Sequence, residues 1–359
     1  MPIPLRLGVL TFHKCFNYGA YWQARCLVEA LQSMGHNAVI LDHHSWRVDL
    51  SEWKCGYFPR SPEFRSLITM PAYGRKIRAF QKAQARLPLS RAFSLDKPAT
   101  MEEFDSVIVG SDEVWNLKHP WYGGKELFFG KGIRSRSLVS YAASFGNYPA
   151  TEELPPRFAE NLRQFKAISV RDLNSQKIIR DVVGIEPELV LDPCLQFEPT
   201  PDSDSQLPDE PYAVVYGWGF TKPLGQQVKR WAKSAGVRLV SVGYHNDWAD
   251  ENRLSASPDD FVNLMRNARA VATNFFHGCV FSLKYERPFV CESLPYRAIK
   301  IHDLLSMVGA ERHQVRLESM AESWIERLNE PLNLEIVARI NRLRESSQAY
   351  LDRVLSCVN

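Results

Sequence analysis

Apolar residues fall along the first 43 positions in two different rhythms. Leu5-Arg6-Leu7-Gly8-Val9-Leu10-Thr11-Phe12 is a run of strand length and composition. From Ala20 onward, apolar residues recur at Ala24, Leu27, Leu31 and Met34, the period of a helix, and Gly35 stands where a C-cap glycine belongs. Ala38-Val39-Ile40-Leu41 then predicts a second strand. Two near-continuous apolar strands around one amphipathic helix predict a parallel sheet with helices on its faces. Short apolar runs repeat at 106–110, 137–141, 167–170 and 189–191, and a second series follows at 212–216, 238–242, 270–273 and 288–291. Within that second series Ser257-Pro258-Asp259-Asp260 predicts a helix start, with serine as N-cap, proline at the first helical position and acids in the first turn.

Between the two series, residues 198–211 hold Pro199, Pro201, Pro208 and Pro211 among Asp, Ser and Gln, the composition of a linker. The expected fold class is α/β, two doubly wound Rossmann-like domains facing a cleft. The expected division is an N-terminal α/β domain over 1–198, a linker over 199–211, a C-terminal α/β domain over 212–330 and a helical stretch over 331–359. A basic insertion at about 45–100 interrupts the first domain. Within 60–91, Arg60, Arg65, Arg75, Lys76, Arg78, Lys82, Arg86 and Arg91 face the single acid Glu63, and Trp46, Trp53, Tyr57, Phe58, Phe64, Tyr73 and Phe80 lie in or just before this stretch. It reads either as a solvated helical insertion or as a basic aromatic surface for an anionic acceptor or a peripheral membrane contact.

Composition narrows the class. At about 150 residues per domain, 359 residues suggest two domains. Hydrophobic residues at 45% and charged residues at 24% argue against disorder. The net charge of +3 is too small to argue for nucleic acid, so no nucleic-acid partner is expected. No apolar run approaches the roughly 18 residues of a membrane span, and the opening Met1 to Phe12 lacks the basic start and small-residue cleavage site of a signal peptide. Seven cysteines occur without a C-x-x-C pair, which speaks against a zinc ribbon and fits reduced thiols in a cytoplasmic protein.

In parallel sheets, ligands bind beyond the carboxyl ends of the strands, so the loops after the strands carry the candidate chemistry. Asn17-Tyr18-Gly19 heads the first helix, where backbone N–H groups suit an anion or a sugar hydroxyl; a tight turn accounts for it equally. Ser111-Asp112-Glu113-Val114-Trp115-Asn116 gathers carboxylate, amide and indole groups as a sugar site would, with Asp112 as a helix N-cap the alternative. Ser144 and Gly146 follow two alanines and permit close backbone approach. Arg171 is a natural clamp for a carboxylate or phosphate, unless it pairs locally with Asp172. Gly217-Trp218-Gly219 has the form of a phosphate loop without its third glycine. Asn274-Phe275-Phe276-His277-Gly278 puts an imidazole and free N–H groups at a strand-to-helix junction, where proton transfer and anion binding could meet. His43-His44 is discounted as a metal pair because neighbours on a strand point to opposite faces.

Taken in order, these loops resemble the polysaccharide pyruvyl transferase family. The motifs run from Gly8 to His13 with Asn17-Tyr18-Gly19, through Val109-Gly110-Ser111-Asp112 with Val114-Trp115-Asn116, to Ser140 through Gly146. They continue with Ser169-Val170-Arg171, Leu191-Asp192-Pro193, Ser257-Pro258, Phe276-His277-Gly278 and Arg287-Pro288-Phe289. The resemblance implies a GT-B-like fold and transfer of pyruvate from phosphoenolpyruvate to a sugar of an exopolysaccharide or cell-wall glycan, as a ketal. It implies His277 as acid/base and Arg171, with Asn274 and Gly278, on the donor. Asn17, Tyr18, Gly19, Ser111, Asp112, Trp115, Asn116 and Ser144 would face the saccharide acceptor, lipid-linked or free. No metal and no cofactor beyond phosphoenolpyruvate as co-substrate is expected. Many members carry Arg or a small polar residue two positions before the histidine, where this chain has Phe275; a second cation would then come from Arg287, Arg297 or Lys284. The alternatives are a GT-B-type glycosyltransferase using a nucleotide sugar and a non-catalytic saccharide-binding protein.

Overall fold

A computed structural model describes residues 4–58, 69–294, 297–315 and 322–358. Arg60, Glu63, Phe64 and Arg65 of the basic stretch therefore lie outside the described residues. Along the chain, β1 (Arg6–Leu10), α1 (Tyr18–Ser33), β2 (Asn37–Ile40), β3 (His43–His44), α2 (Trp46–Tyr57), α3 (Met70–Gln84) and β4 (Phe93–Ser94) come first. Next are β5 (Phe104–Val109), β6 (Ser135–Ser140), α4 (Pro156–Leu162), β7 (Ser169–Val170), α5 (Leu173–Ile178), β8 (Glu188–Leu189) and α6 (Pro193–Gln196). After the proline-rich stretch come β9 (Tyr212–Tyr216), α7 (Lys222–Ala235), β10 (Arg238–Val242), β11 (Glu251–Arg253), α8 (Pro258–Asn267) and β12 (Val271–Thr273). The chain closes with α9 (Phe276–Lys284), β13 (Phe289–Glu292), α10 (Ala298–Val308), β14 (Gln314–Val315) and α11 (Leu334–Ser356).

The chain divides into two compact units, the first formed by Met1–Glu52, Arg86–Glu198 and Ile340–Asn359, the second by Trp53–Ala85 and Pro199–Arg339. In the first unit the sheet order is β2-β1-β5-β6, every neighbour parallel. Bridges at Val139 to Ala167 and Ala143 to Val170 carry the β7–β8 pair on beside β6. Its core includes Leu10, Val107, Val109, Trp115, Phe128, Phe129, Phe145 and Phe165. In the second unit the order is β11-β10-β9-β12-β13-β14, again all parallel. Renumbered within the unit this is 3-2-1-4-5-6, the doubly wound dinucleotide-fold order, with its switch point between β9 and β12.

The helix starts follow the local chemistry. Asn17 caps α1, its Oδ1 accepting from the N–H groups of Gly19 (2.9 Å) and Ala20 (3.3 Å). Ser257 and Asp260 form a reciprocal capping box on α8.

Two segments sit elsewhere than their sequence position suggests. The helix α3, expected as part of an insertion in the first domain, belongs to the second unit. Tyr73, Ile77, Phe80 and Ala83 recur at helical spacing and are buried, while Arg75, Arg78 and Lys82 face outward. The Lys76 ammonium donates to the Gly243 carbonyl (3.1 Å), and Tyr73 packs with Leu254. At the other end, α11 returns to the first unit from Ile340 on, where the Tyr350 hydroxyl donates to Ser140 O (2.7 Å) and Ser347 Oγ accepts from Leu191 N–H (2.9 Å). The proline-rich stretch is pinned to α8, where Asn263 donates to Ser203 O (3.0 Å) and Ser205 Oγ (2.9 Å).

Candidate functional site

In the first unit the carboxyl ends of β1, β5 and β6 converge with β7. Arg171, one residue past β7, is 1% exposed. One Nη donates to Asp192 (2.7 Å) and Ser111 Oγ (3.2 Å), the other to Asp112 (3.0 Å). Burial works against its charge, but the carboxylates of Asp112 and Asp192, with Asp172 and Glu113 beyond them, outweigh it and hold its pKa above the ordinary arginine value. Asp172 instead caps α5 through Ser175 N–H (2.7 Å). The expected open clamp is thus a buried guanidinium already clasping two acids of its own unit.

The sugar-facing turn is likewise closed. Asp112 caps no helix; it lies at φ +77°, a left-handed conformation that aspartate tolerates, and its Oδ1 accepts from Glu113 N–H (2.9 Å) as well as from Arg171. Trp115 is 0% exposed, its indole N–H donates to Phe128 O (2.8 Å), and its ring lies 5.5 Å from Phe145 and 5.9 Å from Phe165. It is a core residue, which corrects its expected role as a stacking platform for the acceptor. Asn116 donates to Glu113 (2.7 Å) and Asn147 (2.7 Å), and Ser144 Oγ accepts from Gly146 N–H (2.8 Å). Ser111 is buried, and of Asn17-Tyr18-Gly19 only Asn17 is exposed. These side chains shape the strand-end loops more than they present themselves.

A cluster of titratable side chains lies beside β1 and β2. His13 Nε2 donates to Asp42 (3.0 Å), which also pairs with Lys14 (2.5 Å). His43 Nε2 donates to Thr11 O (2.9 Å), and burial pushes its pKa down to about 3. His44, its neighbour on β3, is exposed, as the alternation of a strand requires. Glu52 accepts from Cys15 Sγ (3.1 Å) and Trp121 Nε1 (2.7 Å), and burial pushes its carboxyl up to about 7. In the sequence the cluster shows only in pieces, His13 in the loop after the first strand and His43 in the pair discounted as metal ligands, because Glu52 and Trp121 lie far along the chain from them.

In the second unit the loops after β9 and β12 form the switch point. His277 is the second residue of α9 and is buried, its ring edge-on to Phe276 (5.2 Å, 85°). The N–H groups of Gly278 and Cys279 turn back to Phe275 O (3.0 and 3.3 Å). Gly278 is required by packing: a Cβ there would lie 1.9 Å from Thr273 Oγ1, which itself donates to Tyr216 O (2.6 Å) and binds the helix start to the strands. Asn274 donates to Trp218 O (2.8 Å), and its buried Oδ1 has no partner among the described residues. Gly217 (φ +153°) leaves the space that this oxygen occupies, since a Cβ would come within 2.2 Å of it.

Of the three cations named for the gap at Phe275, one reaches this loop. Arg297, just ahead of α10, sets its guanidinium 4.4 Å from the Phe275 ring centroid and 5.4 Å from that of Trp218. Arg287 lies at the amino ends of the strands near Tyr212, and Lys284 ends α9, about 10 Å along the helix from His277. Below Phe275, Tyr244 meets its ring edge-on (5.0 Å), and the Lys76 ammonium lies 4.5 Å from the Tyr244 ring, with burial pushing its pKa down to about 7. Glu292, at the end of β13, holds the β9 loop by accepting from Thr221 N–H (3.1 Å) and Oγ (2.5 Å).

A family model described as polysaccharide pyruvyl transferase matches residues 17–294. Among solved structures, the Arabidopsis thaliana protein UGT89C1 complexed with UDP-L-rhamnose superposes with a TM-score of 0.51 at 11% identity, over 99% of this chain and 100% of that one. The Neisseria meningitidis UDP-GlcNAc 2-epimerase bound to UDP-GlcNAc gives 0.48 at 10% identity, over 96% and 99%. At such identities the likeness concerns the fold, which is that of the GT-B glycosyltransferases. No curated protein matches the chain. Among the described residues, no helix is long and apolar enough to cross a membrane.

Proposed function

The chain belongs to the polysaccharide pyruvyl transferase family, and from that premise we propose that it transfers pyruvate from phosphoenolpyruvate to two hydroxyls of a glycan sugar, forming a ketal. The reading rests on one observation: the Arg297 guanidinium lies on the ring of Phe275, two residues before His277, at the switch point of the second unit.

Phosphoenolpyruvate offers a carboxylate and a phosphate, and both need cationic or N–H partners. The positive end of α9 and the Arg297 guanidinium are the groups we assign to them. Protonation of the enol CH2 carbon by His277 turns it into a methyl group and leaves an oxocarbenium-like centre at the neighbouring carbon. One sugar hydroxyl attacks that centre, His277 takes up its proton, and phosphate leaves as the second hydroxyl closes the ring. One hydroxyl proton balances the new methyl hydrogen and the other departs with phosphate. In this scheme Arg171 does not touch the donor; it keeps the loops of the first unit in place, where we put the acceptor.

The test is conversion of phosphoenolpyruvate and a saccharide, followed by proton NMR of the ketal methyl group and by phosphate release. His277→Gln is expected to lower kcat by at least about 100-fold with an unchanged melting temperature. Arg297→Met is expected to weaken phosphoenolpyruvate binding by about ten- to a hundredfold, as for a charged hydrogen bond. Near-normal turnover in His277→Gln, or stabilisation of the protein by a nucleotide sugar and not by phosphoenolpyruvate, overturns the proposal.

A further inference from the structure

Large apolar side chains on the surface are not scattered evenly over this protein. Among the described residues, six are exposed, and four of them, Trp46 (69%), Leu50 (47%), Trp53 (39%) and Phe58 (54%), fall on α2 or the residue after it. Single exposed hydrophobics are ordinary, whereas a cluster marks a binding surface.

Three of them, Trp46, Leu50 and Trp53, share one face of α2 with the half-buried Tyr57, and Phe58 lies just past the helix end. At 100° per residue, positions 46, 50, 53 and 57 project within about 60° of one another. Trp53 and Tyr57 stack along this line with ring centroids 6.0 Å apart. Arg47 and Lys54, both exposed, fall together on one flank, roughly 80–100° round from Trp46. The acids of the helix are withdrawn from this surface: Glu52 is buried and Asp49 half-buried. Tyr57 leads on to α3, its ring 3.6 Å from where a Cβ on Gly74 would be, and α3 presents Arg75, Arg78 and Lys82 outward with no acid in its sequence.

We infer that this face is a peripheral membrane anchor that lies in the headgroup layer of an anionic bilayer. Tryptophan is the side chain that prefers the water–hydrocarbon boundary, leucine and phenylalanine supply burial, and the basic edge supplies attraction to negative headgroups. A second copy of the chain would meet like charge with like charge across this edge, which favours the bilayer as occupant. The inference is independent of pyruvyl transfer and is tested without any activity assay.

The full chain is sedimented with vesicles of phosphatidylcholine alone and of phosphatidylcholine with phosphatidylglycerol, beside two variants. Binding is expected to the phosphatidylglycerol vesicles and to weaken as salt is raised. Trp46→Ser/Leu50→Ser/Trp53→Ser is expected to abolish it. Arg47→Gln/Lys54→Gln is expected to weaken it about 25-fold, at about fivefold per charge. All five side chains are exposed, so circular dichroism should show both variants folded. No binding by the folded wild-type chain, equal binding by the triple variant, or a wild-type dimer in ultracentrifugation that the triple variant loses would each overturn the inference.

Discussion

Replacing Arg171 by methionine separates a structural cation from a ligand-binding one. The guanidinium is 1% exposed, Asp192 is fully buried and Asp112 is 14% exposed, and three hydrogen bonds of 2.7, 3.0 and 3.2 Å join them and Ser111. Methionine fills much of the same space but leaves two carboxylates facing each other without a cation. Breaking a buried pair in this way costs about 3–5 kcal/mol. At about 2–4 °C per kcal/mol for a domain of this size, the first unit should melt roughly 6–20 °C lower. Calorimetry reads this directly. Adding Asp192→Asn to Arg171→Met removes one stranded charge while keeping the cap that Asp192 Oδ1 makes to Cys194 N–H (2.9 Å), so the double variant should recover part of the loss. A melting temperature within 2 °C of wild type, together with lost phosphoenolpyruvate binding, would refute the reasoning and restore Arg171 as a donor clamp.

Two further predictions concern the second unit. Gly278→Ala should destabilise it by about 1–3 kcal/mol in urea unfolding, because the new methyl would lie 1.9 Å from Thr273 Oγ1; a neutral effect would show that the strand–helix junction relaxes freely. Burial holds the Lys76 pKa near 7 in the fold against 10.5 when unfolded, so the unfolded chain binds more protons between those values. Stability contributed through this group therefore rises with pH across that window, by up to about 1.4 kcal/mol per pH unit, and is lost as pH falls toward 7. Lys76→Met should flatten the rise relative to wild type between pH 7 and 9.5, and parallel curves would contradict the assignment.

How much was legible beforehand depended on how far apart the partners lie in sequence. Strand runs, the Asn17 cap and the Ser257 capping box are decided within four or five residues, so periodicity and cap chemistry reveal them. The loops after the strands followed from the same local reading, which is why His277 and Asn274 could be named as candidates. Trp115 shows where that reading stops. A tryptophan in a polar turn looks available, and only Phe145 and Phe165, brought in from later in the chain, bury it.

The sequence by itself determined the alternation of strands and helices, the parallel sheets this alternation demands, and the family motifs at the strand ends. The tertiary structure alone decided that Arg171 is spent on Asp112 and Asp192, 59 and 21 residues away. It also decided that α3 and the end of α11 each join the unit remote in sequence, and that Arg297 rather than Arg287 or Lys284 stands beside Phe275. The reason is physical. Backbone periodicity is a property of neighbours, whereas burial and charge pairing depend on which distant surfaces the fold brings together.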